Sequence, residues 1–269
     1  DSEVQTTSRR LDGVNDFAVA PDGHIVYTAN HSENWDLFIC DADGANSRQL
    51  TFDHRFHQFP TVCDDNRTVV YSTTTANGDR LWKLDLQTGV SSALTTGPTE
   101  TFPDCQGTGN WLFYFGQGPD GGNHIFKLPL SGGPPVQLSD RIAGSPPFPS
   151  MDGRHVAFAS AVKEGTVAVL VVSADTGAVE AQANILPTFD QTSHSAAWLP
   201  DNRSMALADL RTGIPNLWTV PLIGNAPEKQ MTHFTSGIIW AFHFSRDGKS
   251  VVMARGSHPS DVVVFNTPK

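Results

Sequence analysis

The sequence predicts an all-β fold, a six-bladed β-propeller of four-stranded antiparallel blades. Three observations carry the prediction. One unit recurs six times along the 269 residues. Each unit is built from short apolar or alternating runs of four to six residues, the pattern of strands. The units are punctuated by Gly, Pro, Asn and Asp, with 23 glycines and 18 prolines in the chain, and long Ala/Leu/Glu/Lys runs are absent.

The repeat is read from its turns: APDGHIVYTA from Ala20, DDNRTVVYST from Asp64, GTGNWLFYFG from Gly107, SMDGRHVAFA from Ser150, LPDNRSMALA from Leu199 and SRDGKSVVMA from Ser245. Taking Asp22, Asp65, Thr108, Asp152, Asp201 and Asp247 as equivalent gives spacings of 43, 43, 44, 49 and 46 residues. That period suits a propeller blade; a helical solenoid of similar period would need apolar residues three and four apart, which these units lack. Third strands follow in WDLFICDADG, RLWKLDLQTG, HIFKLPLSGG, VAVLVVSADTG and NLWTVPLIGN, each ending in a turn suited to a tight hairpin. Fourth strands follow in RQLT, SALTT, VQLS and KQMTHF. The long fourth period places an excursion between about residues 175 and 193. The last unit ends at DVVVFNTPK, three strands in, and TSRRLDG near the N-terminus parallels NSRQLTFD. Residues of about 3 to 11 are therefore expected to complete the last blade and close the ring, which removes a bare sheet edge. The units fill the chain, so residues 1–269 read as one domain.

Bulk properties narrow the function. No run is long and apolar enough to span a bilayer. A net charge of −10 argues against nucleic acid, whose phosphates need clustered Lys and Arg. The chain opens at Asp1 without an initiator Met, which reads as a processed product or a piece of something longer. Three cysteines, Cys40, Cys63 and Cys105, lie in or beside strands and are expected as buried, unpaired thiols.

The PDG turns, the apolar strand, the LW or IF strand and the QLT strand resemble the TolB-like propeller family from Val4 to Phe265. The run from Ile238 to Asn266, GIPNLWTVPL from Gly213 and HIFKLPLSGGPPVQLS from His124 resemble the C-terminal, extracytoplasmic propellers of bacterial transmembrane serine/threonine kinases. The resemblance implies a non-catalytic sensor or interaction domain, with a kinase and a membrane helix upstream of this chain. A free periplasmic TolB-type adaptor that binds an envelope protein is the alternative; a metal-dependent propeller lyase or hydrolase is a further one. Blades two and three depart from the family turn, with DDNR and GTGN in place of Pro-Asp-Gly.

Chemical motifs are scarce. The chain has no G-x-S-x-G elbow, H-E-x-x-H, C-x-x-C, P-loop or dinucleotide-binding glycine pattern. DADGAN, from Asp41 to Asn46, lacks the later ligands of a calcium loop and reads as a hairpin turn. His54, His57, His194, His233 and His243 fall near blade entries and could converge on a channel mouth, but as polar loop or inter-blade residues they imply neither metal nor cofactor. Seven residues before each reference turn stand Asn15, Gln58, Thr101, Ser145, His194 and Trp240. These positions should open the innermost strands at the channel mouth, and they are the candidate ligand-binding ring, weighed against a water-lined channel. The following Phe17, Pro60, Pro103, Pro147, Ala196 and Phe242 should pack between blades. Trp35, Trp82, Trp111, Trp198 and Trp218 are expected there too. The expected partners are a small ligand or an envelope protein, bound by a monomeric domain on the periplasmic side, with no catalytic residues in this chain.

Overall fold

A computed structural model describes residues 16–31, 34–105, 107, 109–163, 166–184, 196–245 and 250–256. Every regular element among them is a strand. The first blade orders β1 (Phe17–Val19), β2 (Ile25–His31), β3 (Asn34–Cys40) and β4 (Arg48–Gln49) outward from the centre. The second comprises β5 (His57–Val62), β6 (Thr68–Thr75), β7 (Gly78–Asp85) and β8 (Ser91–Ala93). The third comprises β9 (Glu100–Asp104), β10 (Trp111–Gln117), β11 (Asn123–Pro129) and β12 (Val136–Gln137). The fourth has β13 (Phe148–Pro149), β14 (His155–Lys163), β15 (Thr166–Ser173) and β16 (Val179–Asn184). The fifth has β17 (Ala196–Trp198), β18 (Ser204–Asp209), β19 (Asn216–Pro221) and β20 (Lys229–Gln230). All neighbouring strands run antiparallel.

Among the described residues the sixth repeat does not make a sixth such blade. It contributes β21 (Ile238–Phe244) and β22 (Val251–Gly256), a two-stranded sheet, so the described residues form five four-stranded blades where six were expected. The reason lies in what the repeat signature encodes. A turn between two apolar runs fixes only the first hairpin of a blade, and that hairpin is present in the sixth unit. The outer strands depend on other residues. The segments expected to supply them, residues 3–11 and Asp261 to Lys269, lie outside the described residues. β21 nevertheless packs against β17 on one side and β1 on the other, which seats the two-stranded sheet between the fifth and first blades.

The core is divided among the junctions between sheets. Val26, Leu37, Val69 and Tyr71 join blades one and two, and Val70, Leu81, Leu112 and Leu128 join blades two and three. Phe113, Ile125, Val156 and Phe158 continue to blade four, and Val169, Trp198 and Leu207 to blade five. Ala208, Leu217, Ile239 and Phe242 join blade five to β21, and Phe17, Tyr27 and Ala241 join β21 to blade one. Each fully buried Leu, Ile, Val or Phe contributes roughly 1.5–3 kcal/mol, so these junctions outweigh any exposed ion pair. Turns couple the blades as well. The backbone N–H of Asp22 donates to the side chain of Asn66, and that of Asp152 to Asn202. Both asparagines are left-handed, at φ 53° and 50°, so DDNR and PDNR build the same turn although one lacks the family proline.

Three sequence expectations need correction here. Cys63 and Cys105 are disulfide-bonded, with Cα atoms 5.1 Å apart, and only Cys40 is a buried free thiol. The fourth blade holds strand β16 within the expected excursion, while residues 185–193 lie outside the described residues. Of the tryptophans expected between blades, Trp198 is buried, whereas Trp111 is exposed beneath the Lys127 ammonium and Trp218 is half-buried under Arg211. Among the described residues no helix is long and apolar enough to cross a membrane.

Candidate functional site

The inner strands have two ends, and different residues gather at each. At the ends nearest the Asp-Gly turns they line a cavity of about 110 Å³. Its wall includes Val19, Asp64, Asp104, Met151, Trp198 and His243, drawn from all five blades and β21. Much of its polar lining is tied up within the fold. Asp64 accepts the N–H groups of Gly107 and Gly109, and Trp198 Nε1 donates to the Phe148 carbonyl at 2.8 Å.

The opposite ends, where the chain crosses from one blade to the next, carry the residues singled out from the sequence. Gln58 is half-buried on β5, opposite Ser72 of β6. Thr101 is buried, and its hydroxyl lies 3.1 Å from that of Ser72, so Gln58 and Thr101 meet around one serine. Ser145 is also buried, but it serves its own blade: its hydroxyl accepts from Ala159 N at 2.8 Å and donates to the Pro146 carbonyl. It precedes β13 and is not part of it, because Pro146 and Pro147 have no N–H for a ladder. Trp240 is half-buried at a bulge in β21, with its ring over Gly256. Asn15 and His194 lie outside the described residues. The histidines do not share a mouth: His57 starts β5 at the crossover end, and His243 lines the cavity at the other.

Sequence reasoning missed the aromatic character of the crossover end. Phe59 and Phe102, one repeat apart and each followed by Pro, have φ of 52° and 51°. A bulky residue costs about 1–3 kcal/mol in that region, and a following proline disfavours it further. Both sit where the strand register slips, at bulges in β5 and β9. Their rings meet at a centroid distance of 3.9 Å, and Phe102 also contacts Phe115. Further out, Phe52 and Phe56 are 69% and 40% exposed. Trp35 packs edge-on to Phe56, and the Arg55 guanidinium lies 4.8 Å from the centre of the Trp82 ring. The paired Phe-Pro dipeptides 43 residues apart were the available signal.

A second group lies at the junction of blades one and two. Asp36 of β3, Asp53 after β4 and His57 at the start of β5 each bring a potential metal-ligating atom within 4.8 Å of the others. Asp36 and His57 are buried, while the Asp53 side chain reaches solvent. His57 Nε2 is 2.7 Å from Asp53 Oδ1, and Nδ1 is 3.0 Å from the Thr73 hydroxyl. Thr51 donates to Asp36 Oδ1 and accepts from Leu37 N, both at 3.0 Å. Burial lowers the pKa of His57 despite the opposing pull of Asp53, which favours a neutral imidazole.

No protein-family model matches the chain, and no curated protein sequence does. Solved structures match its fold. TolB from Acinetobacter baumannii superposes with a TM-score of 0.67 at 17% identity, covering 80% of this chain and 53% of its own. A putative TolB from Agrobacterium tumefaciens gives 0.54 at 21% identity, over 62% of this chain and 63% of its own. A puromycin-hydrolyzing peptidase from Mycobacterium tuberculosis gives 0.61 at 18% identity, over 92% of this chain and 44% of its own. The chain therefore spans about half the length of the first TolB and less than half of the peptidase. Identities this low speak to architecture and leave function open. With its antiparallel four-stranded blades set around a common centre, the chain has a TolB-like β-propeller fold.

Proposed function

We propose that the chain is a non-catalytic protein-interaction module of the TolB type, which offers its crossover face to an envelope protein on the extracytoplasmic side of a bacterial cell. The observation that carries this reading is the aromatic surface around Phe52, Phe56, Trp35 and the Arg55–Trp82 stack, continuous in sequence with the Phe59–Phe102 pair. Aromatic and arginine side chains supply most of the energy at protein interfaces, and large exposed apolar groups in one place mark such surfaces. Gln58 and Trp240, half-buried at the same ends of the inner strands, add a polar and an aromatic contact. The Cys63–Cys105 disulfide supports an oxidising compartment. Two TolB structures among the similar folds favour the adaptor over the receptor-kinase sensor that the sequence resemblance implies.

A photo-crosslinking side chain placed in turn at Phe56 and at Arg154 tests the reading, because Arg154 is highly exposed on the Asp-Gly turn of blade four. In envelope-bearing cells the Phe56 position should give a discrete protein adduct that Phe52→Ala weakens, and the Arg154 position should give none. Adducts from Arg154 alone, or equally from both positions, would reject the crossover face as the docking surface.

A further inference from the structure

We propose that Asp36, Asp53 and His57 form a binding site for a divalent cation of the zinc class at the junction of the first two blades. One imidazole nitrogen and two carboxylates make a three-ligand protein set, the number that leaves a coordination position open to water. Asp53 lies on the solvent side of the cluster and gives a cation a way in.

The repeats supply an internal control. At the position of Asp36, the second to fifth blades place Arg80, His124, Ala168 and Asn216. In blade five the same strand-to-threonine clasp is built around a neutral amide. Asn216 Oδ1 accepts from the Thr232 hydroxyl at 3.0 Å and from Phe234 N at 2.7 Å, and its Nδ2 donates to the carbonyls of Ile214 and Phe234. Leu217 N donates to Thr232 as Leu37 N does to Thr51. The clasp therefore needs no charge. Blade one replaces the amide with a buried carboxylate, which has no donors to offer, and adds a second carboxylate and a buried imidazole within 4.8 Å. Among the described residues Arg55 pairs with this cluster, but it stands 3.8 Å from Asp53 and lies over Trp82, on the solvent side. Buried carboxylates are tolerated when they are paired or when they hold a metal. A divalent cation at the centre of the three ligand atoms would balance the negative charge gathered there.

The test uses the full chain, stripped with chelator and titrated with Zn²⁺ by calorimetry at neutral pH. One ion per chain is expected. Asp36→Asn keeps the clasp in the form that blade five uses, so it should melt as the wild type does while its Zn²⁺ affinity falls by at least ~10-fold. His57→Gln should lose the ion as well. If the wild type takes up no more Zn²⁺ than these variants, the cluster is a hydrogen-bonded network and the proposal is wrong. Should neither variant fold, Co²⁺ added to the wild-type chain decides the matter by NMR. Strong paramagnetic shifts of the His57 ring would support the site, and an undisturbed His57 ring would overturn it.

Discussion

The junction between blades two and three and the junctions around the β21–β22 sheet occupy equivalent places in one ring, yet they are held by different means. Blades two and three are joined covalently by Cys63–Cys105, and further by the Ser72–Thr101 hydroxyl pair and the packed rings of Phe59 and Phe102. Between blade five and the β21–β22 sheet, Phe242 and Ile239 are set against Ala206, Ala208 and Leu217, and the Arg255 guanidinium of β22 lies over the Phe234 ring and donates to the Ser236 carbonyl. On the other side of β21, Ala241 packs with Phe17 and Tyr27, and the His243 ring meets Phe17 edge-on. A ring of blades is as stable as its weakest junction, since opening one exposes the apolar faces of two sheets. Among the described residues the disulfide and the two left-handed phenylalanines fall at one junction, while the two-stranded member is held by apolar packing and the Arg255 contacts, with no covalent link.

The sharpest way to break the comparison is to remove its covalent half. The disulfide closes a loop between residues 42 apart in sequence. Chain-entropy arguments give such a loop about 4 kcal/mol of stabilisation through the unfolded state. The Cys63→Ser, Cys105→Ser double variant should lose about that much in urea denaturation, and reductant should no longer affect it. A variant as stable as the oxidised parent would mean that packing alone holds both junctions and the contrast is empty.

The complementary change is Phe242→Ala. Phe242 is fully buried between β21 and blade five, and truncating a buried phenylalanine costs roughly 3–5 kcal/mol. The loss should be of similar size in oxidised and reduced protein, because the bridge spans a different junction. Limited proteolysis should then cut first in or beside β21–β22. Early cleavage between blades two and three instead would reverse the ranking of the two junctions.

The limits of sequence reading follow the same divide. The first hairpin of every unit was legible because an Asp-Gly or Asx turn between apolar runs is a local device, and Asp22, Asp65, Asp152 and Asp201 each mark one. The outer strands β4, β12 and β20, two residues each, were recoverable from QLT-like runs. The number of complete blades was not, since it depends on pairing between segments far apart in sequence. The disulfide was hidden by an odd cysteine count, although Cys63 and Cys105 lie almost one repeat apart, as neighbouring inner strands require. Left-handed Phe59 and Phe102 contradict local propensity, so tertiary packing had to impose them. Of the candidate ring, Gln58 and Thr101 lie near the crossover end, which the repeat register alone could place. The register could not reveal that Thr101 and Ser145 spend their hydroxyls on internal bonds.

Acid offers the gentlest probe of the covalently held side. Arg67 and Asp85 close the open end of the β6–β7 hairpin of blade two, opposite its own turn, with Arg67 Nε donating to Asp85 Oδ2 at 2.9 Å. Asp85 also accepts the N–H groups of Gln87 and Thr88, which helps to fix the turn into β8. The bond to Arg67 is the main reason its carboxyl is held down at about 2, below the ordinary 3.8. A depressed carboxylate pKa stabilises the fold above the unfolded value, and the contribution fades as pH falls through the folded one. The pair should therefore support blade two fully above about pH 4 and lose its effect progressively between pH 4 and 2. Because it is exposed and salt-screened, its effect should be the smallest of those considered. Asp85→Asn should be slightly less stable than the parent at pH 7 and converge with it near pH 2, and high salt should narrow the gap at pH 7. A constant difference across that range would show that Asp85 acts as a neutral turn acceptor, leaving the disulfide and the packed phenylalanines to hold blade two against its neighbour.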